Sequence, residues 1–161
     1  MSRTGAQLLT GFSRFIGDEW LAYAAGFFDG EGSVVIQKVR PSGASVSPRY
    51  SLQVQIGNTY RPILAIFLER FGGAVYERKS QNRYGKRMQW QWQARNDTAA
   101  AFLEAVRPYL IEKADRAWLG LEFFNQKTKP AAMKLGLTES ELALREGYRL
   151  AMRTLTHRGA A

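Results

Sequence analysis

The 161-residue chain contains no cysteine and a single histidine, His157, close to its end. The first absence excludes disulfides, thiol nucleophiles and Cys/His zinc sites. The second leaves no histidine in the body of the chain to act as a general base. No phosphate-cradling P-loop pattern occurs. The longest apolar run, residues 21–28, lies too far in for a secretory signal and leads into acids rather than a cleavage site. It also falls well short of the roughly 20 apolar residues of a membrane span. The expectation is an intracellular, non-membrane protein whose host compartment stays open.

Acid is scarce too. There are 14 Asp and Glu against 23 Lys and Arg, a formal net charge of +9. The scarcity is local: residues 33–95 hold eleven bases and only two acids, Glu69 and Glu77, while the flanks cancel. A cationic segment between neutral flanks points to a polyanion, of which nucleic acid is the commonest. A membrane surface would call for a basic amphipathic helix, and this segment reads mainly as strands. The chain length suits one domain, expected over residues 18–155, with an extension over 1–17 and a tail over 156–161.

Residues 20–33, W-L-A-Y-A-A-G-F-F-D-G-E-G-S, organise the chain. They open as an apolar helix of about two to three turns, expected to be buried on most faces. Asp18 or Glu19 can cap it. Ala22, Ala25, Gly26 and Asp29 recur at spacings of three and four, one stripe that admits a second backbone at close range. Gly30 and Gly32 suggest that the helix stops there. Asp29 and Glu31 are two apart, so they point in different directions and take different tasks. At a helix C-terminus, Glu31 and the Gly30 carbonyl could form part of an oxygen-ligand magnesium site. The string is short, and on composition alone the favoured reading is a buried helix with a solvated glycine turn.

After this stretch, residues 33–40 alternate, with Val34 and Ile36 on one face and Ser33, Val35 and Gln37 on the other, leading to Arg40. Residues 41–48 are a turn. From Arg49, residues 50–57 alternate again: Leu52, Val54 and Ile56 against Ser51, Gln53 and Gln55. Pro62 starts a helix that ends at Gly72-Gly73. Residues 74–79 form a third strand whose Glu77 and Lys79 are expected on the same open, DNA-facing side as the glutamines. A loop follows with Arg83, Lys86 and Arg87. The fourth strand, 88–95, sets Gln89, Gln91 and Gln93 against Trp90 and Trp92. From Asp97 the chain turns helical: one helix over 99–106 capped by Asn96 or Asp97, another from Pro108 to Phe124, and a last one opened by a Thr138–Glu141 capping box. The order is α+β: a four-stranded antiparallel sheet with helices on one face and the glutamine-rich face open. That open face is either a solvated surface or a DNA-reading one. Gln pairs with adenine and Arg or Lys with guanine in the major groove, while the loop bases suit phosphates.

The run Ala24-Ala25-Gly26-Phe27-Phe28-Asp29-Gly30-Glu31-Gly32 resembles the motif of the LAGLIDADG homing endonucleases, with Ala24 for the leading Leu and Glu31 where Asp is more usual. The resemblance covers residues 18–125. It implies a saddle-shaped sheet seated in the DNA major groove and site-specific, magnesium-dependent double-strand cleavage of a long pseudopalindromic site, with manganese or calcium as alternative ions. One motif copy implies a homodimer, crossing at Ala22, Ala25, Gly26 and Asp29. It further implies Glu31 and Gly30 at the metal, Lys113 as the cation near the scissile phosphate (five residues after Pro108), and Asn58 and Arg61 as water-positioning groups. As bare residues, Lys113 and Asn58 fit surface or capping roles as well. The partner expected is double-stranded DNA, and RNA is not indicated. The rival is a non-cleaving DNA- or RNA-binding protein on the same scaffold, a splicing maturase or a transcriptional regulator.

Overall fold

The computed structural model describes residues 17–43, 45–78, 88–126 and 136–158. The extension up to residue 16, Lys79 and the loop bases Arg83, Lys86 and Arg87 lie outside them.

Helix α1 spans Asp18–Glu31. It leads into β1 (Gly32–Val39), β2 (Arg49–Asn58), α2 (Arg61–Phe71), β3 (Ala74–Arg78), β4 (Gln89–Arg95) and α3 (Asn96–Val106). A 3-10 turn (Arg107–Tyr109), α4 (Ala114–Asn125) and α5 (Glu139–Arg158) follow. The strands form one antiparallel sheet in the order β1-β2-β4-β3. The fold is thus α+β, as the alternation predicts.

Register fixes the two faces. Val34 lies opposite Val54, Ile36 opposite Leu52, and Ile56 opposite Trp92. These side chains are buried, and the helices cover them. Trp92 is fully buried beside Phe67 and Phe102, and its indole N–H donates to the Gly72 carbonyl at 2.9 Å. Phe28, from α1, meets Phe102 edge-on with centroids 5.0 Å apart. Aromatic burial of this kind stabilises by roughly 1.5–3 kcal/mol per ring. A Cβ on Gly32 would stand 2.2 Å from the Phe28 ring, so the last motif glycine is required by packing.

Several expectations need correction. Helix α1 is 14 residues, longer than two to three turns, because Gly30 continues it and Glu31 ends it. Gly17 holds the N-cap position, and Asp18 and Glu19 lie in the first turn. The helix is not buried all round: Trp20, Ala24, Ala25 and Phe28 face the core, while Ala22, Tyr23, Gly26 and Gly30 are exposed. Pro108 opens only a 3-10 turn, and α4 begins at Ala114. Asn96 is the first residue of α3, at φ 48°, with Arg95 at the cap position. The 138–141 capping box is formed: Thr138 N–H donates to Glu141 Oε2 at 3.1 Å, and Glu141 N–H to Thr138 Oγ1 at 3.3 Å. Helix α5 continues past 155 to Arg158.

Candidate nucleic-acid interface

The uncovered face of the sheet is built by the odd positions of β1 and β2 and by what lies opposite them. Ser33 pairs with Gln55, Val35 with Gln53, Gln37 with Ser51 and Val39 with Arg49. Across β2, Gln53 lies opposite Arg95, Gln55 opposite Gln93 and Gly57 opposite Gln91. On β3, Tyr76 lies opposite Gln91 and Arg78 opposite Gln89. No acid occupies any of these positions, whereas Arg49, Arg78 and Arg95 do. Arg40 is exposed just beyond β1.

Glu77 is placed differently from its sequence expectation. It lies opposite Trp90, on the parity of Val75 and Trp92, which is the helix-covered side. The residues that face the open side are its neighbours Tyr76 and Arg78. The signal was available: Val75 is the apolar residue of this strand, and period two from it turns Glu77 inward. Arg95 was likewise absent from the expected site and belongs to this face.

The glutamines are not separate fingers. Gln53 and Gln91 are each only 7% exposed. Gln53 Nε2 donates to Gln55 Oε1 at 3.2 Å, and Gln91 Nε2 donates to the same oxygen. Tyr76 Oη donates to Gln93 Oε1 at 3.2 Å, and an Arg95 N–H reaches the same atom at 3.4 Å. The face is therefore a hydrogen-bonded amide layer.

Its rim carries the motif. Glu31, exposed at the last position of α1, lines a depression of about 450 Å³ with Ser33, Gln55, Asn58, Arg78 and Gln91 among others. Asn58 Oδ1 also accepts the Tyr60 N–H at 2.8 Å, which steers the chain into α2. Arg61 does not line this depression; its guanidinium lies over the Trp90 ring, 5.1 Å from the centroid.

Asp29 faces the other way. Its carboxylate accepts the backbone N–H groups of Ile111 at 2.8 Å, Glu112 at 3.3 Å and Lys113 at 3.0 Å. It thereby clamps the segment before α4 against α1. Lys113 is 5% exposed, and its ammonium binds the Asp29 carbonyl oxygen and the Glu112 carboxylate. A cation thus answers the negative end of α1. Glu112, held also by Arg116, has its carboxyl pulled below the usual range, first by the hydrogen bond from Lys113. Lys113 sits beside the motif but does not line the depression with Glu31.

The expected small-residue stripe is split. Ala25 is fully buried in its own core and Asp29 points at residues 111–113. Ala22 and Gly26 remain exposed, and Gly30 continues their row. No group of three or more His, Cys, Asp or Glu that could hold a metal occurs among the described residues. No described helix is long and apolar enough to cross a membrane.

No protein-family model matches the chain, and no curated protein does. Solved structures do. The homing endonuclease I-CvuI, in complex with its target in the presence of calcium, superposes with TM-score 0.69 at 19% identity, over 84% of this chain and 81% of that one. The archaeal intron-encoded homing endonuclease I-Vdi141I, complexed with DNA, gives 0.65 at 18% identity, over 86% and 84%. The meganuclease I-SmaMI, bound to uncleavable DNA, gives 0.61 at 16% identity, over 82% of this chain but 44% of that one. The open sheet, the helices on its far side and the motif helix at its rim together make up the fold of the LAGLIDADG homing endonucleases, and this chain has that fold.

Proposed function

We propose that this protein is a sequence-specific DNA endonuclease that works as a homodimer with a divalent metal, magnesium first. One observation carries the reading: Glu31, at the end of the motif helix, opens onto the rim of a sheet face rich in amides and arginine and free of acid. A duplex laid on that face would bring its phosphates to Glu31 and Arg78.

The donors we assign to the metal are hard oxygens, the Glu31 carboxylate and the carbonyl of its neighbour Gly30, which would suit magnesium, calcium or manganese. One chain supplies a single carboxylate, so phosphate oxygens, water and the second copy's Glu31 would complete the set. When bound, the metal would activate water and stabilise the leaving oxygen. Arg78 would hold the phosphate and offset its developing charge. Asn58 and Gln55 would orient groups in the depression. Lys113 would reach a phosphate only by leaving Glu112.

The dimer reading rests on two glycines. Gly26 and Gly30, both within α1, each cost roughly 1 kcal/mol relative to alanine in a helix. Among the described residues, a Cβ at either would meet no atom within 4 Å beyond its own turn of helix. Nothing among the described residues needs that room, but a second α1 crossing it on a twofold axis would. Tyr23 and half-buried Phe27 flank the row.

The capture of Lys113 by Glu112 favours a second reading, a protein on the same scaffold that binds nucleic acid and does not cut. Incubating the protein with a randomised duplex library and magnesium separates the two. Nicked or broken products that vanish on chelation support the endonuclease; selective binding without breaks supports the second reading.

A further inference from the structure

Two of the glutamines on the open face are themselves buried, and both donate to a third. Gln55 Oε1 receives Nε2 of Gln53 and Nε2 of Gln91. An amide oxygen has two lone pairs, so that oxygen is filled. What Gln55 retains for a ligand in the depression it lines is its NH2 group, a donor only.

The direction of the network has a physical reason. Gln53 Oε1 is buried without a partner. Reversing the amides together would let Gln55 donate to both neighbours and would leave the NH2 of Gln53 orphaned instead. A buried carbonyl without a partner is better tolerated than a buried N–H. The observed sense, with Gln55 accepting, is the cheaper one.

We propose that Gln53 and Gln91 are positioning residues which fix the amide of Gln55 so that it meets DNA as a hydrogen-bond donor only; this rests on the reading of the open face as a DNA interface. An unconstrained glutamine reads adenine by accepting from N6 and donating to N7. A donor-only amide cannot accept from adenine N6 or cytosine N4. It favours edges that present acceptors, guanine N7 and O6 or thymine O4, over adenine, where only N7 can take its hydrogen bond and the N6 donor is left unanswered. Neither Gln53 nor Gln91 needs to touch a base to set that choice.

The test is selection of bound duplexes from a randomised library in calcium, with wild type, Gln55→Ala, Gln53→Met and Gln53→Glu. Thermal melting checks that each variant folds. The wild type should prefer guanine or thymine at one position of each half-site, and Gln55→Ala should erase that preference. Gln53→Met removes one of the two donors to Gln55 Oε1 and opens one lone pair while Gln91 still holds the amide, so the preference over adenine should narrow by about tenfold, a step of 1.4 kcal/mol. Gln53→Glu has only acceptors, draws the Gln55 NH2 towards itself, and should turn the same position towards adenine or cytosine. A merely structural Gln53 would weaken binding at all sequences without this reversal. A Gln55-dependent position that prefers adenine in the wild type, or one unchanged in both folded Gln53 variants, overturns the inference alone. A wild type with no base preference at any position overturns the DNA reading and the inference together.

Discussion

Asp29 is the residue whose task was least visible in the sequence. The spacing to Glu31 separates the two acids, but nothing local says that Asp29 will meet Ile111, Glu112 and Lys113, more than 80 positions away. Asparagine there keeps one acceptor oxygen and turns an NH2 towards a backbone N–H. Asp29→Asn should therefore lower unfolding free energy by about 1.5–3 kcal/mol, the range for hydrogen bonds to a charged group. Urea denaturation reads this as a lower midpoint at unchanged slope. Glu146 on α5 offers a second residue-scale prediction. It accepts Arg149, Tyr50 Oη at 2.7 Å and Lys38 at 3.1 Å. Arg149 first, then Tyr50 and Lys38, hold its carboxyl down to about 2. A carboxylate depressed by folding stabilises above its unfolded pKa, about 4.3, and loses that contribution as the pH falls through its folded value. The melting-temperature gap between wild type and Glu146→Gln should be steady above about pH 5 and close towards pH 2. A gap that widens on acidification would contradict the assignment.

At the scale of elements, alternation made β1, β2 and β4 legible, because each has one apolar parity: Val34 and Ile36; Leu52, Val54 and Ile56; Trp90 and Trp92. Strand β3 was read with its faces reversed. A single interior apolar residue, Val75, sets its register against Trp92, and charge on both parities hides it. Pro108 gave a helix start its usual signal, yet the clamp from Asp29 holds residues 111–113 back and defers α4 to Ala114. Helix α1 outran its expected end because glycine, though unfavourable, does not terminate a helix that tertiary packing holds. Its exposed row makes a prediction. A side chain at Gly26 starts from an exposed position whose Cβ meets none of the other described elements within 4 Å, but a leucine there would overpack a close helix crossing by roughly 1–3 kcal/mol. Gly26→Leu should melt like the wild-type fold and sediment as a monomer at micromolar concentration while the wild type sediments as a dimer. Identical sedimentation of the two proteins would count against the crossing.

At the scale of the molecule, the charge map decides more than the net charge. The +9 of the chain is concentrated in the strand region, and the register sorts it further by putting Arg78 on the open face and Glu77 behind it. Arg78→Ala should weaken binding to all duplexes alike and lower the salt slope by about one per protomer. Glu77→Ala should leave the slope where it was. Equal effects from both would contradict the assigned faces. The fold itself was legible through the motif, the parities and the helix signals. The metal set was less so, since one chain shows a single carboxylate at the rim and the completing ligands would lie in DNA and a second copy.

The central claim is that Glu31 serves a metal at the DNA rather than the fold. It is tested most directly by a paired measurement on wild type and Glu31→Gln, with a target selected from the randomised library. Cleavage is scored in magnesium, and binding to the same target is scored in chelator. Glutamine keeps the size and one oxygen but removes the charge that would hold the cation. Cleavage should disappear, while affinity in chelator should equal or exceed the wild type's, because a negative group facing phosphate has been neutralised. Robust cleavage by Glu31→Gln would contradict the account.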